Sequence, residues 1–158
     1  RYVAFVQAQI TELLTQYGPV AAIWLDGIGV PLHGPGERMR IPELYDHIRS
    51  LQPQVLVSYK QMYTGTEDFA APEHKTVDAH GKPGEVCTTM HPMWGYVDCD
   101  DSEHIDPDAA WAKLAECGRQ GYNLLLNTGP LPDGSIHPKD AATLREVGRR
   151  IAAEGYPS

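Results

Sequence analysis

Val20-Ala21-Ala22-Ile23-Trp24-Leu25-Asp26-Gly27 decides how this chain folds. Six apolar residues in a row, closed by a carboxylate and a glycine, read as a short strand buried on both faces. Strands of that kind belong to parallel sheets covered on each side. Val55-Leu56-Val57-Ser58-Tyr59 and Tyr122-Asn123-Leu124-Leu125-Leu126-Asn127 repeat the pattern, and Val86-Cys87-Thr88 offers a shorter fourth run.

The stretches between these runs have helical periodicity. Val3, Val6, Ile10, Leu13, Leu14 and Tyr17 recur at spacings of three and four, and Gly18-Pro19 stops them. Leu44, Tyr45, Ile48 and Leu51 do the same, with Pro42 in the first turn. Asp106-Pro107-Asp108 opens a third helix running to about Arg119, with acidic residues favourably placed at its start. Pro138 to about Glu154 forms a fourth. Alternating strands and helices predict a parallel sheet with helices packed outside it. The chain ends of the strands near Asp26, Lys60 and Asn127 should then lie on one side. A closed (β/α)8 barrel has eight strands; three or four are legible here. The expected architecture is α/β, about half of a TIM-like barrel, in one domain spanning residues 1–158. The chain opens on Arg1 inside a helical stretch, which reads as part of a longer or processed polypeptide.

Composition narrows the function. A formal net charge of −8 argues against nucleic acid, whose phosphates need a basic face. Cys87, Cys99 and Cys117 form no CxxC pair and the seven histidines form no HxH or HExxH pair, so no metal or cofactor is expected. No apolar run is long enough to span a bilayer, and no segment reads as a signal peptide. Gly34-Pro35-Gly36 follows no strand and lacks the Gly-Lys-Ser/Thr ending of a phosphate loop. Thirteen Pro and fifteen Gly point to elaborate loops, where binding and catalytic groups tend to sit.

In a parallel barrel the active site lies at the C-terminal ends of the strands. Asp26 stands at such an end; alternatively it is a turn residue before Gly27. Gly65 to His74 holds Glu67, Asp68 and Glu73, either a solvated acidic loop or the source of a second carboxylate. Glycoside hydrolysis needs two carboxyl groups flanking the scissile bond, one ionised and one protonated. Trp24, Tyr59, Tyr63, Phe69, Trp94 and Tyr96 lie around the predicted rim. Aromatic rings there suit the C–H faces of a sugar, though Trp24 and Phe69 equally suit a core. Asn123 and Asn127 read as structural hydrogen-bonders at the sheet.

Taken in order, these segments resemble the α-L-fucosidases of glycoside hydrolase family 29, over about Tyr2 to Gly148. The segments that carry the resemblance are Glu12-Leu13-Leu14, Tyr17-Gly18, Ile23-Trp24-Leu25-Asp26-Gly27 and Glu67-Asp68-Phe69-Ala70-Ala71-Pro72-Glu73. Glu85-Val86-Cys87-Thr88-Thr89-Met90, Trp94-Gly95-Tyr96, Asn123 through Pro130 and Asp133-Gly134 complete it. The resemblance implies the C-terminal half of the catalytic barrel, without the N-terminal half. It implies a retaining enzyme that releases α-linked L-fucose from oligosaccharides or glycoconjugates through a covalent glycosyl-enzyme, in a periplasmic or secreted setting. Asp26 would be the nucleophile and Glu73 the acid/base, with Glu67 in reserve. Trp24, Lys60, Glu67, Trp94 and Tyr96 would contact substrate. No cofactor, nucleic acid or membrane is implied. A half barrel exposes edges that invite self-association. Gly84 departs from the family, many of whose members carry Trp there, and Ala153-Glu154-Gly155 is a degraded form of its C-terminal Gly-Glu motif. The rival readings are an incomplete fragment or glycan-binding remnant, a different retaining glycosidase, and a domain indifferent to sugars.

Overall fold

The computed structural model describes residues 2–27, 40–61 and 65–157. Tyr63, the Gly34-Pro35-Gly36 stretch and the surrounding loop up to residue 39 lie outside them. The chain divides into two compact units, one of Arg1–Ala71 with Asp78–Pro83, the other of Pro72–Val77 with Gly84–Ser158.

The first unit contains helix α1 (Tyr2–Gln16), strand β1 (Ala22–Leu25), helix α2 (Ile41–Leu51) and strand β2 (Leu56–Tyr59). β1 and β2 are parallel, with Ala22 opposite Leu56 and Leu25 opposite Tyr59. Alternation along a strand sends neighbouring side chains to opposite faces. Ile23, Leu25, Val57 and Tyr59 pack toward the helices, where Ile10, Leu14, Ile41, Leu44, Tyr45 and Ile48 complete the core. Each fully buried aliphatic side chain contributes about 1.5–3 kcal/mol to this packing. Gln52 links the elements. Its side-chain amide donates to Leu14 O (2.7 Å) and Gly18 O (2.9 Å), satisfying carbonyls at the end of α1, and its Oε1 accepts from Val20 N (2.9 Å).

The opposite face of this sheet carries Trp24 and Leu56, 40% and 50% exposed. The strands read from sequence as covered on both sides are therefore covered by the described helices on one. An apolar run records what a face could bury, and the described elements of this unit pack against the other face. Ser58, on the open side, is buried because the returning loop crosses it: its Oγ donates to Phe69 O at 2.7 Å. That loop also takes the free edge of β2. Asp68 pairs with Val57 through both main chain and side chain, and Ala71 pairs with Lys60 in parallel sense.

The second unit contains strand β3 (Gly84–Thr89), a short 3-10 turn at Asp101–Glu103, helix α3 (Pro107–Arg119), strand β4 (Tyr122–Asn127) and helix α4 (Pro138–Glu154). β3 is six residues long, twice what its apolar core shows, because the pairing with β4 runs parallel from Gly84–Tyr122 to Thr89–Asn127. Glu73 pairs with Cys87 on the other edge of β3. Asp106 caps α3, accepting from Ala109 N at 2.8 Å, and Pro107 occupies the first turn, as the sequence indicates. Gly84 is confined by a neighbouring side chain. The Tyr122 ring fills the space beside it, and a Cβ there would stand 2.1 Å from a ring carbon. Tyr122 is held over the glycine by donating from its hydroxyl to Val77 O (2.7 Å).

The described residues thus form a mixed α/β structure with parallel strands. The C-terminal ends of β1 and β2 lie side by side in the first unit, and those of β3 and β4 in the second. The three cysteines are free thiols. Among the described residues, no group of three His, Cys, Asp or Glu side chains is arranged to hold a metal ion, and no helix is long and apolar enough to cross a membrane.

Candidate active site

In the first unit, Asp26 follows β1 directly. Its Oδ1 accepts from Gly27 N at 2.6 Å, so the turn reading of this residue is present in the geometry. Its Oδ2 lies 3.8 Å from Lys60 Nζ, with the aspartate side chain 72% exposed and the lysine 15%. Register explains the pairing. Leu25 stands opposite Tyr59 and Lys60 N donates to Leu25 O, so Asp26 and Lys60 continue the two strands from adjacent ends. Trp24, two residues earlier, shares the open face. Burial raises the pKa of the Tyr59 hydroxyl, with Tyr2 and Asp26 adding to the effect, so this phenol stays protonated near neutral pH.

Within the acidic loop Glu67 is buried, whereas Asp68 keeps part of its carboxylate in solvent. The Glu67 carboxylate is 2% exposed. It accepts from Gly65 N (2.9 and 3.1 Å) and from Lys82 Nζ (2.8 Å), which also donates to Gly65 O. Asp68 accepts from Val57 N (2.8 Å) and pairs with Arg49 at 3.1 Å. An irregular loop lying against a sheet must supply partners for its own and its neighbours' backbone groups, and these two carboxylates do so.

In the second unit, Glu73 is fixed at the edge of β3. Cys87 N donates to Pro72 O (3.1 Å) and His74 N to Cys87 O (2.8 Å). The His74 ring lies 3.2 Å from Thr88 Oγ1 through Nδ1 and 5.6 Å, centre to centre, from the Trp94 ring. Trp94 O accepts from Asn127 Nδ2 at 2.8 Å, giving Asn127 the structural role its sequence context suggests. Gly129 permits the same approach, since a Cβ there would meet Gly95 O at 2.5 Å. Tyr96 is exposed on the same segment.

Sequence reasoning missed one cluster in this unit. Buried Asp140 accepts from Thr128 Oγ1 (2.6 Å) and lies 2.7 Å from His104 Nδ1. His104 stacks on His137 at 4.2 Å and lies 5.1 Å from His91, which accepts through Nε2 from Gly129 N. Cys99 Sγ lies 3.5 Å from His104 Nε2. Burial raises the pKa of this thiol, as do the charges of Glu103, Asp140, Asp98 and Asp100, so it is a poor nucleophile. In sequence, Asp140 looks like an ordinary acidic residue in the first turn of a helix. The one available signal was Thr128, a hydroxyl directly after a buried strand.

Of the residues picked from sequence, the structure thus brings Asp26 and Lys60 together beside Trp24, and Glu73 near Trp94 through His74. Glu67 is turned into its own ion pair. The family model for alpha-L-fucosidases matches residues 1–156. Among solved structures, alpha-L-fucosidase isoenzyme 1 from Paenibacillus thiaminolyticus is 32% identical with a TM-score of 0.77, the match covering 98% of this chain and 40% of that one. Alpha-L-fucosidase AlfC from Lactobacillus casei, in complex with its alpha-L-fucose product, is 22% identical with a TM-score of 0.74, covering 94% and 44%. The Thermotoga maritima alpha-fucosidase in complex with fucose is 22% identical with a TM-score of 0.72, covering 98% and 34%. No curated protein matches. The chain spans about two fifths of the length of the solved structures it resembles.

Proposed function

The chain belongs to the alpha-L-fucosidase family, and on that premise we propose that it is the C-terminal portion of a single (β/α)8 catalytic barrel. The enzyme it serves would be a retaining glycoside hydrolase that removes α-linked L-fucose from oligosaccharides or glycoconjugates. The observation that carries the reading is the placement of Asp26 at the end of β1 with Lys60 beside it, inside a family match of nearly the whole chain.

Double displacement assigns the groups as follows. The Asp26 carboxylate attacks the anomeric carbon, displacing the leaving-group oxygen and forming a glycosyl ester. Glu73 donates its proton to that oxygen as the bond breaks. It then takes a proton from the water that attacks the ester, which releases fucose and regenerates Asp26. Retention requires the two carboxyl groups to flank the bond about 5–5.5 Å apart. Lys60 supplies positive charge next to the nucleophile. Trp24, Trp94 and Tyr96 supply rings for the sugar's C–H faces. Glu73 is preferred over Glu67 because the Glu67 carboxylate is buried and held by Lys82, a poor setting for a group that must gain and lose a proton in each cycle. The chemistry needs two carboxyl groups and water, and no cofactor.

A second reading, a glycan-binding portion without turnover, rests on the open sheet face that carries Trp24, a ring available to the C–H face of a sugar. Two measurements separate the readings: 4-nitrophenol release from its α-L-fucoside, and the anomer of the first fucose formed, by NMR. Turnover with retained configuration supports the enzyme. Saturable binding of a fucosylated glycan without turnover supports the second reading, and absence of both sinks each. The same architecture has the isolated chain self-associating, since Trp24 and Leu56 leave apolar sheet surface open. Sedimentation velocity showing a monomer at all concentrations would count against that.

A further inference from the structure

We infer that His74 is a positioning residue that locks the segment bearing Trp94 to the strand position of Glu73. His74 is held at φ +65°, in the left-handed region that is unfavourable for a residue with a Cβ. Three contacts hold it here. The backbone N–H donates to Cys87 O at 2.8 Å, Nδ1 lies 3.2 Å from Thr88 Oγ1, and the ring packs against Trp94 at 5.6 Å with the planes 34° apart. Asn127 anchors Trp94 from the other side by donating to its carbonyl.

The two neighbours 73 and 74 divide the work. Glu73 pairs with Cys87 and shares its side of β3, whereas His74 is fastened to Thr88, whose side chain alternation places on the opposite side. A residue pegged to one face fixes the backbone from which its predecessor reaches over the other. The imidazole therefore couples the aromatic ring and the carboxylate, and a shift in either is transmitted to its partner through one residue. The catalytic consequence rests on the assignment of Glu73 as acid/base; the clamp itself rests on the contacts.

The test reads the clamp without turnover. In a chain whose only indole is Trp94 (Trp24→Phe, Trp111→Phe), the emission of that ring reports how firmly it is held. His74→Asn tolerates the left-handed backbone but removes the packed ring, so Trp94 emission should shift to longer wavelength and become more accessible to acrylamide. Unchanged emission and quenching in His74→Asn overturn the inference. Should His74→Asn fail to fold, Thr88→Val removes the Nδ1 partner while keeping the shape and should also raise acrylamide access to Trp94; unchanged access overturns it too. In the kinetic arm, His74→Asn should cost about 10²-fold on an unactivated fucoside, the scale of a misplaced catalytic group, and spare an activated one. If Glu73→Ala itself shows no such selectivity, the acid/base assignment fails while the fluorescence result still decides the clamp.

Discussion

Lys60 Nζ stands 3.8 Å from Asp26 Oδ2, the ammonium largely enclosed and the carboxylate largely open. Enclosure holds a cation in place more firmly than a surface pair could, while the exposed carboxylate stays accessible to a substrate. This asymmetry suits a nucleophile with a fixed companion better than a surface ion pair, whose contribution to stability is about 0–1 kcal/mol. Lys60→Met should therefore leave the unfolding midpoint nearly unchanged and lower kcat/KM by about 10²–10³-fold, the scale of losing one preorganised electrostatic partner. Lys60→Arg should recover part of it. Full activity in Lys60→Met would remove Lys60 from the site.

Glu67 and Lys82 present the opposite case. The carboxylate is buried, so removing either partner strands the other or leaves Gly65 N unsatisfied. Glu67→Ala and Lys82→Ala should each destabilise by about 3 kcal/mol, and the double variant by less than the sum. Urea unfolding of the three variants decides it. A Glu67→Ala chain of native stability that fails only on substrates needing a protonated leaving group would return the acid/base role to Glu67.

The α4 helix carries a pH signature. Hydrogen bonds from Arg149 and Arg150 lower the Glu146 carboxyl from its ordinary 4.5 to about 2. A folded pKa below the unfolded one means stabilisation that is present above about pH 4.5 and lost as the pH falls through about 2. Thermal unfolding between those limits should show a downward slope on acidification that is shallower in Glu146→Gln. Equal slopes would mean that the exposed arginines do not hold this carboxylate in solution.

Much of this architecture was legible because it depends on periodicity. The helices at Tyr2–Gln16, Ile41–Leu51, Pro107–Arg119 and Pro138–Glu154 announce themselves through apolar spacing and through Gly and Pro stops. The position of Asp26 directly after β1 was legible because an apolar run closed by Asp-Gly marks where the strand ends. β3 was underread because Gly84, Glu85 and Thr89 join it through pairing with β4, and pairing leaves no local pattern. The strand-like pairings of Ala71 and Glu73 were missed for the same reason. The fate of Glu67 could not be read at all. Whether a loop acid turns outward or inward depends on a lysine fifteen residues away, and sequence spacing carries no such distance.

The assignment of Asp26 and Glu73 is tested by the different things each must do. A nucleophile is consumed and regenerated in every cycle, so Asp26→Ala should abolish turnover on all fucosides, whatever the leaving group. A small anion such as azide can enter the space left by the carboxylate and attack the anomeric carbon itself, restoring some release of an activated aryl group and yielding a fucosyl azide of inverted configuration. An acid/base is needed in proportion to the basicity of the leaving group. Glu73→Ala should thus spare the first step for an activated aryl fucoside, while the loss on an unactivated one reaches about 10²–10⁴-fold, the usual scale of general acid catalysis. With the second step left without its base, glycosyl-enzyme should accumulate, and external azide should accelerate its breakdown to a fucosyl azide of retained configuration. The two azide products therefore differ in their anomeric centre, and NMR of each distinguishes the roles directly. If Glu73→Ala loses both substrates equally, or Asp26→Ala keeps substantial activity, the pair is misassigned.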